Sequence, residues 1–305
     1  MITNGENMSF KSGFVAIMGR PNAGKSTLLN AILGTKVSIV SPKPQTTRNN
    51  IIGIYNDEDS QIVFTDTPGI NTANTKLDEY MQKSVKSAKA GVDVVLLCVD
   101  GSKGIKQKDI DFINDFKTTN NLMLIVTKTD LTNYEKLYPQ LAQLNGLDYV
   151  KSIIPVSSFK GRNIDVVVNE IKKYLHDDIK YFDDDQYTDK SVRFMISELI
   201  REKTLWLLQD EIPHGIAVEV TLFDEKPNRI DIDADIICEK ESHKQIIIGK
   251  NGSMIKEIGT KARIEIEKLV DKKVFLNLFV KVKNGWRNKQ SIINDLGYDI
   301  KELDK

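Results

Sequence analysis

Short apolar runs alternate with amphipathic segments through the first 175 residues. Each run is short enough to be a buried strand, and the runs cover residues 14–18, 61–66, 92–100, 122–126 and 152–158. A helix is predicted over 27–33, directly after the first run. Alternating strands and helices predict an α/β fold with a mostly parallel sheet. Ligands of such folds bind at the carboxyl ends of the strands.

The last third of the chain has a different pattern. A predicted helix with apolar residues at helical spacing comes first, and the later pattern predicts two strands, a glycine loop between helices, and a last strand. The bounds are 191–209 for the first helix, 216–223 and 229–238 for the two strands, 253–270 for the last helix and 273–281 for the last strand. We expect Asp189 to cap the first helix and Trp206 to lie in its core. This order predicts a separate α+β domain.

The pattern divides the chain into five parts. We predict a flexible extension at 1–12, an α/β domain at 13–175, an acidic linker at 176–190, a second domain at 191–285 and a helical tail at 286–305. The first residues are polar and lack the apolar core of a signal peptide. No apolar stretch is long enough to span a bilayer.

Charge is balanced over the whole chain, with 43 Lys and Arg against 43 Asp and Glu. It is uneven locally, since residues 243–290 hold 12 Lys and Arg against four Asp and Glu. A basic patch in a neutral protein favours a phosphate-rich partner, although a solvated helix face is the alternative. Two cysteines, Cys98 and Cys238, are too few for a disulfide framework or a zinc site. They indicate a reducing, intracellular protein.

The turn after the first strand matches the pattern G-x-x-x-x-G-K-[ST], and a helix follows it as a phosphate-binding loop requires. Its glycines let backbone N–H groups turn toward phosphate oxygens. Lys25 is predicted to reach the β- and γ-phosphates, and Ser26 to bind Mg²⁺. The predicted phosphate-binding residues are Gly19, Arg20, Pro21, Asn22, Ala23, Gly24, Lys25, Ser26 and Thr27.

Two further strand ends carry candidate chemistry. The second run ends at Asp66, which is predicted to hold Mg²⁺ through water. The N–H of Gly69 can reach the γ-phosphate. The predicted GTP-binding residues of this segment are Asp66, Thr67, Pro68, Gly69 and Ile70. The fourth run ends at Thr127, Lys128 and Asp130. A carboxylate accepts hydrogen bonds from N1–H and the amino group of guanine, which adenine does not offer, so Asp130 favours GTP over ATP. For Asp130 alone, a helix cap is the alternative.

A second glycine loop lies in the basic part of the chain. Gly249, Lys250, Asn251 and Gly252 fit G-x-x-G between two predicted helices. Glycines there allow close approach of an RNA backbone, in a groove for about four single-stranded nucleotides. Lys250 and the nearby Lys256, Lys261 and Arg263 are predicted to contact phosphates. This unit resembles a type II KH domain.

The whole chain resembles the Era family of GTPases. The resemblance is carried by residues 19–26, the Gln-Thr-Thr-Arg segment at 45–48, residues 66–69, Ser157 and Ser158, and segments at 188–213 and 285–298. Two departures are Thr127, where the family has Asn, and Ser158, where it has Ala. The resemblance implies that Ser157 and Ser158 bind GTP. It also implies a cytoplasmic GTPase of small ribosomal subunit assembly that binds the 3′ end of 16S rRNA under GTP control. Some family members associate peripherally with the membrane; we expect a monomer.

The resemblance also makes residues 34–50 the first switch loop, with Thr46 or, preferably, Thr47 on Mg²⁺. The glutamine that orients water in many GTPases is replaced by Ile70. Relatives with Asn at position 22 can use K⁺ beside the phosphates, so Asn22 is a hypothetical K⁺ ligand. The predicted catalytic residues are Asn22, Lys25, Thr47 and Gly69. A signalling or cell-cycle GTPase that docks proteins on its KH domain is the alternative function, and a tRNA-modifying GTPase is a third.

Overall fold

The computed structural model describes residues 10–70, 72–176, 178–210 and 212–303. Most of the predicted extension at 1–12, and Asp177 in the predicted linker, lie outside the described residues. The chain forms two compact units. The first comprises residues 1–38, 50–70 and 85–189, and the second comprises residues 39–49, 71–84 and 190–305.

Strands and helices alternate through the first half of the chain, as the hydrophobic pattern predicts. They are β1 (Lys11–Gly19), α1 (Lys25–Leu33), β2 (Ile51–Asn56), β3 (Ser60–Asp66), α2 (Lys76–Lys89), β4 (Val94–Asp100), α3 (Gln107–Asn114), β5 (Leu122–Thr127), α4 (Tyr134–Leu144), β6 (Val150–Pro155) and α5 (Ile164–Lys172).

Among the described residues, the sheet of the first unit has six strands in the order β2-β3-β1-β4-β5-β6. All neighbours are parallel except β2 and β3, which are antiparallel. The prediction of a mostly parallel sheet is therefore confirmed, while β2 is an edge strand that the pattern did not reveal. Strand β4 is buried from Val94 to Val99, and β5 is buried along its whole length. Since the central strands are covered on both faces, they are continuous apolar runs.

The linker residues of the first unit are fixed against its sheet edge. The amide side chain of Gln61 accepts from the N–H groups of Tyr181 and Phe182 and donates to the carbonyl oxygen of Phe182. The N–H of Ile54 in β2 donates to the carbonyl oxygen of Tyr187. The bond at Ile54 uses the free side of the edge strand β2, which would otherwise remain unpaired.

The last part of the second unit has the predicted element order. Its elements are α6 (Val192–Leu207), β7 (Ala217–Glu225), β8 (Arg229–Cys238), α7 (Glu241–Ile248), α8 (Ser253–Val270), β9 (Lys273–Val282) and α9 (Gln290–Asp295). Strand β8 pairs antiparallel with β7 and parallel with β9. Alternate residues of β8, from Ile230 to Cys238, pack with residues of α6 and α8 in one apolar core.

Two expectations about α6 are wrong. Its N-terminal cap is Ser191, whose hydroxyl accepts from the N–H of Phe194, and not Asp189. Trp206 is 56% exposed and does not belong to the core. Its indole N–H instead donates to the carbonyl oxygen of Val40, which lies in the same unit.

Candidate functional site

The predicted phosphate loop joins β1 to α1, and its residue types suit the positive φ angles of its backbone. Gly19, Asn22 and Gly24 all have positive φ angles, which glycine adopts freely and asparagine tolerates better than most residues. A Cβ atom on Gly19 would lie 2.6 Å from the carbonyl oxygen of Cys98. The loop therefore has the left-handed turns that a phosphate cradle needs.

Lys25 points into the centre of this loop. It is buried, and its ammonium donates to the carbonyl oxygens of Gly19 and Arg20 at 3.2 and 3.1 Å. Burial lowers the pKa of Lys25, and the charge of Asp66 opposes that shift. Among the described residues, the ammonium of Lys25 has two carbonyl partners and the charge of Asp66 nearby, and a phosphate would supply further negative charge.

Arg20 is held at the side of the loop. Its guanidinium forms an ion pair with Asp109 at 3.1 Å, donates to the carbonyl oxygen of Lys108, and lies over the ring of Phe112. These three contacts give Arg20 a role in fixing α3 beside the loop.

The predicted metal ligands of the first unit lie together. The hydroxyl of Ser26 donates to the Asp66 carboxylate at 2.6 Å, and Asp66 is fully buried. The hydroxyl of Thr67 donates to the carbonyl oxygen of Ile17, which fixes the chain just after β3. A hydroxyl and a carboxylate are hard oxygen ligands of the kind that Mg²⁺ takes together with water and phosphate. The donor set therefore fits Mg²⁺.

The segment after Asp66 passes very close to the phosphate loop. A Cβ atom on Gly69 would lie 2.7 Å from Cα of Pro21, so only glycine fits there. The N–H of Ile70 donates to the carbonyl oxygen of Gly19 at 3.1 Å. The structure thus brings Gly69 and Ile70 to the loop, as predicted, and the Ile70 side chain offers no group that could orient water.

A cavity of about 360 Å³ opens beside the loop, at the carboxyl ends of β5 and β6. It is lined by Gly24, Thr27, Thr127, Lys128, Asp130, Leu131, Ser158 and Phe159. Six of these residues were predicted from motifs, whereas Leu131 and Phe159 were not. Their side chains are 66% and 81% exposed, and exposure of large apolar groups at a pocket mouth is a signal that appears only in the fold.

A hydrogen bond orients the carboxylate of Asp130, which is predicted to read the base. The hydroxyl of Ser157 donates to Oδ1 of Asp130 at 2.6 Å. Lys128, which has a positive φ, donates from its ammonium to the carbonyl oxygen of Asn22 at 2.6 Å and to Asp100 at 2.7 Å. Burial raises the pKa of Asp100, but hydrogen bonds from Lys128 and Ser102 outweigh burial and lower it overall.

Thr127 ties the base side of the site to the phosphate side. Its hydroxyl lies 2.7 Å from the carbonyl oxygen of Ala23 and 3.2 Å from that of Val99. Thr127 is 1% exposed. It packs against Gly24, since a Cβ atom added to Gly24 would lie 3.4 Å from Cβ of Thr127. Thr127 therefore acts on the loop backbone.

Residues 39–49 of the predicted first switch loop belong to the second unit and pack against α6; the rest of the loop belongs to the first unit. Arg201 donates to the carbonyl oxygen of Thr46 and is paired with Glu198, and Glu202 accepts from the N–H of Val40 at 2.9 Å. Thr47 is buried in this segment. Because Thr47 belongs to the second unit, its sharing of a metal with Ser26 and Asp66 stays a prediction.

Arg48 is the most buried cation of that segment, with 1% of its surface exposed. Its guanidinium donates to the carbonyl oxygens of Ile216 at 2.6 Å and His214 at 3.1 Å, and it lies 5.7 Å from the ring centroid of Trp286. Burial lowers the pKa of Arg48, with the neighbouring Tyr298 opposing the shift. An arginine so placed fixes the segment to the start of β7.

The second glycine loop lies where the sequence predicts it, between α7 and α8. Gly249, Asn251 and Gly252 have positive φ angles, while Lys250 and Asn251 are exposed. A Cβ atom on Gly249 would lie 2.7 Å from Cβ of Met254, whereas one on Gly252 would meet open space. The loop is thus a short exposed turn at the N-terminus of an 18-residue helix.

The three predicted phosphate contacts of α8 do not share one face. Lys256 and Arg263 are seven residues apart, about two helical turns, and so lie on the same side. Lys261 lies about 140° around the helix from Lys256. It forms an ion pair with Glu257 at 2.8 Å. All three side chains are exposed.

Both cysteines are structural. Each is buried and unpaired, and burial raises the pKa of the Cys98 thiol to about 12. A thiol with so high a pKa is a poor nucleophile at neutral pH. Within the described ranges, no helix is long and apolar enough to cross a membrane.

Two family models match the chain. Residues 14–128 match the family of 50S ribosome-binding GTPases, and residues 211–287 match the KH domain. The chain is 47% identical over 297 residues to GTPase Era of Alkaliphilus metalliredigens (strain QYMF), which covers 96% of this chain and all of that protein. It is also 47% identical to GTPase Era of Clostridioides difficile (strain 630) over 296 residues, with the same coverage.

Two solved structures are similar along most of the chain. One is Era in complex with MgGDPNP and nucleotides 1506–1542 of 16S ribosomal RNA, with a TM-score of 0.91 and 37% identity. The other is a single-residue variant of Aquifex aeolicus Era bound to GDP and AlF4⁻, with a TM-score of 0.91 and 36% identity. Each covers 95% of this chain and all of the compared chain.

Proposed function

We propose that this chain, which belongs to the Era family of GTPases, binds the 3′-terminal segment of 16S rRNA through its KH domain and acts in assembly of the small ribosomal subunit. GTP binding and hydrolysis at the site of the first unit would control that binding. We further propose that it works as a cytoplasmic monomer.

The loop of residues 249–252 is the observation that carries the RNA proposal. It is exposed, has three left-handed residues, and begins an 18-residue helix with Lys256 and Arg263 on one side. Its main-chain geometry lets a phosphate backbone approach closely, and the lysines and arginine supply positive charge. A 16S rRNA fragment is bound by an Era protein whose structure has a TM-score of 0.91 with this chain.

Magnesium belongs to the same proposal. Ser26 and Asp66 would hold the ion, directly and through water, and Thr47 would join them from the first switch segment. When bound, Mg²⁺ neutralises charge on the β- and γ-phosphates during phosphoryl transfer. The protein's own contributions are the Lys25 ammonium and the backbone N–H groups of the loop, which bind phosphate oxygens, and Gly69, which allows close approach at the γ-phosphate.

Asn22 is proposed to hold K⁺ beside the phosphates. Two observations motivate this: Ile70 supplies no polar group, and Arg20 is committed to Asp109. The left-handed φ of Asn22 also suits a tight loop without any ion. Single-turnover GTP hydrolysis in K⁺ and in Na⁺ tests the proposal. Equal rates in the two salts would remove it, and a faster rate in K⁺ that an Asn22→Ala variant loses would support it.

The nucleotide is proposed to reach the KH domain through residues 39–49. This segment follows the phosphate loop and α1 in sequence, after residues 34–38. Its backbone at Val40 and Thr46 is bonded to Glu202 and Arg201 of α6. Any rearrangement of the segment on GTP binding must break or move these bonds. Helix α6 in turn packs in the core that contains α8.

Titration of a fluorescent RNA tests the RNA function. The probe has the sequence of nucleotides 1506–1542 of 16S rRNA, which is the fragment in the similar Era complex. We expect tight binding with a GTP analogue and a marked loss for Lys250→Glu/Gly252→Asp. Gly249 is left intact because a side chain there would collide with Met254 and reshape the loop.

Lys272→Glu is the matched control. Lys272 belongs to the same domain but lies outside the glycine loop, and its ammonium is paired with Glu225. Equal affinity for an unrelated single-stranded RNA would keep a general RNA-binding function and remove the 16S assignment. No binding of either RNA would remove the assembly function and favour a KH domain that docks a protein.

A further inference from the structure

The carboxylate of Asp66 has a second hydroxyl partner that no motif identifies. Ser38 donates from Oγ to Oδ2 of Asp66 at 2.8 Å, and Ser26 donates to the same oxygen at 2.6 Å. Ser38 is 3% exposed and Asp66 is fully buried. Ser26, Ser38 and Asp66 all belong to the first unit. The buried hydroxyl of Ser38 and the half-buried hydroxyl of Ser26 thus converge on one carboxylate oxygen at the proposed metal site.

A side chain of α1 fixes the position of Ser38. The amide of Asn30 donates to the carbonyl oxygen of Ser38 at 2.7 Å, and its Oδ1 accepts from the N–H groups of Val37 and Ser38, each at 3.0 Å. One side chain therefore makes three hydrogen bonds to two consecutive backbone units. Because α1 also begins with Lys25 and Ser26, a single helix orients both hydroxyls that donate to Asp66.

The two hydroxyls have different tasks in the presence of a metal. A serine hydroxyl has one proton and two lone pairs, so Ser26 can keep its proton on Asp66 while its oxygen takes a place beside Mg²⁺. Ser38 is bonded to the same carboxylate oxygen and leads directly into residues 39–49. Its hydrogen bond to a buried charged group is of the stronger kind, and it restricts rotation of the carboxyl group.

We propose that Ser38 is a positioning residue that holds Asp66 in the orientation required to bind Mg²⁺, and that Asn30 keeps Ser38 in place. The inference rests on the magnesium site of the proposed function. Ser38 lies within the predicted first switch loop, directly before residues 39–49, so it links that loop to the metal site. Outer partners that orient a ligand commonly change metal affinity about 10- to 100-fold when they are removed.

The dissociation rate of a fluorescent GDP analogue, measured over a range of Mg²⁺ concentrations, tests this role without any turnover. For the unchanged protein we expect slower release as Mg²⁺ rises. For Ser38→Ala, the Mg²⁺ concentration that gives half of this slowing should rise about 10-fold, while the release rate in EDTA stays unchanged. Ser38→Thr, which keeps the hydroxyl, should restore the original midpoint.

Ser60→Ala is the matched control. Ser60 is equally buried in the first unit, and its hydroxyl donates to the Asp57 carboxylate at 2.8 Å. It should leave the Mg²⁺ midpoint unchanged although it also removes a buried hydroxyl–carboxylate bond. Asn30→Ala should shift the Mg²⁺ midpoint in the same direction as Ser38→Ala. This second variant tests the inference even if Ser38→Ala folds poorly.

The possible outcomes distinguish a failure of the role of Ser38 from a failure of the proposed magnesium site. If GDP release from the unchanged protein did not respond to Mg²⁺, the magnesium site itself would be wrong, and the role of Ser38 with it. If that protein responded and Ser38→Ala responded at the same Mg²⁺ concentration, only the role of Ser38 would be overturned. An equal shift in Ser60→Ala would also overturn it, because the effect would then reflect general loss of packing.

Discussion

The hydroxyl of Thr127 lies 2.7 Å from the carbonyl oxygen of Ala23, so the end of β5 holds the turn of the phosphate loop. The family resemblance expects asparagine at this position. The distance shows how threonine can take this position, because its hydroxyl can donate one hydrogen bond to a nearby carbonyl group. In this chain, the threonine hydroxyl links the end of β5 to the phosphate loop.

Replacing Thr127 with valine should weaken nucleotide binding. Valine has nearly the same shape but leaves the carbonyl oxygen of Ala23 without its donor, in a buried place. Such a loss costs about 1–3 kcal/mol, so the Kd for both GDP and GTP should rise about 5- to 150-fold. Equilibrium titration with fluorescent GDP and GTP analogues measures it. Thr127→Asn should bind almost as the unchanged protein does; unchanged binding by Thr127→Val would show that the link is not needed.

Asp130 should account for the preference for guanine. Inosine diphosphate keeps N1–H but lacks the amino group, so it forfeits one of the two hydrogen bonds to the carboxylate. The unchanged protein should bind GDP at least 10-fold more tightly than inosine diphosphate, since a charged hydrogen bond is worth about 1.5–3 kcal/mol. In Asp130→Ala the two affinities should become nearly equal.

Ser157→Ala provides an intermediate case for the same measurement. It removes the hydroxyl that fixes Oδ1 of Asp130, so part of the preference for GDP over inosine diphosphate should remain. Competition against a fluorescent GDP analogue gives both affinities. A preference that survived intact in Asp130→Ala would place guanine recognition on another group.

Loss of the Arg48 side chain should destabilise the second unit. Arg48→Met keeps much of the apolar stem but leaves the carbonyl oxygens of His214 and Ile216 without a buried donor. The expected decrease in the free energy of unfolding is about 2–4 kcal/mol. Chemical denaturation followed by circular dichroism measures it.

Arg193→Met is the control for this prediction. Arg193 is an exposed arginine of α6 that lies over the ring of Phe223. An exposed contact of this type contributes about 0.5–1 kcal/mol. If the two variants had the same stability, the buried bonds of Arg48 would contribute nothing particular to the docking of the first switch segment.

The basic residues of α8 should differ in their effect on RNA. Lys256 and Arg263 lie on one side, whereas Lys261 lies elsewhere and its charge is already compensated by Glu257. Lys256→Ala and Arg263→Ala should each weaken RNA binding and reduce the slope of log K against log salt concentration by about 0.7. Lys261→Ala should leave that slope unchanged. A loss of slope for Lys261→Ala alone would place the RNA on the other flank of the helix.

The sequence was sufficient for the nucleotide motifs because each follows a buried strand. Lys25, Asp66 and Asp130 come just after or at the carboxyl ends of β1, β3 and β5, where ligand sites of parallel sheets lie. The glycine loop at 249–252 was also predictable, since positive φ angles favour Gly and Asn. These predictions depend on local pattern and on one general rule of topology.

Features that depend on distant contacts could not be predicted in this way. Edge strand β2 is a short apolar run interrupted by Gly53, and its antiparallel pairing with β3 depends on contacts that a local pattern does not show. The sequence around Ser38 does not distinguish it from other loop serines. Its hydrogen bond to Asp66 depends on the fold, in which Asn30 binds the backbone of Ser38. Trp206 has the apolar character of a core residue, yet its indole N–H is used by Val40 at the surface of α6.

The affinity of the RNA probe in two nucleotide states tests the central claim most directly. The fluorescent 1506–1542 segment of 16S rRNA would be titrated with the protein bound to GDP and with the protein bound to a non-hydrolysable GTP analogue. We predict tight binding with the GTP analogue and at least 10-fold weaker binding with GDP. Equal affinity in both states would contradict nucleotide control of the KH domain, even if the RNA were bound tightly.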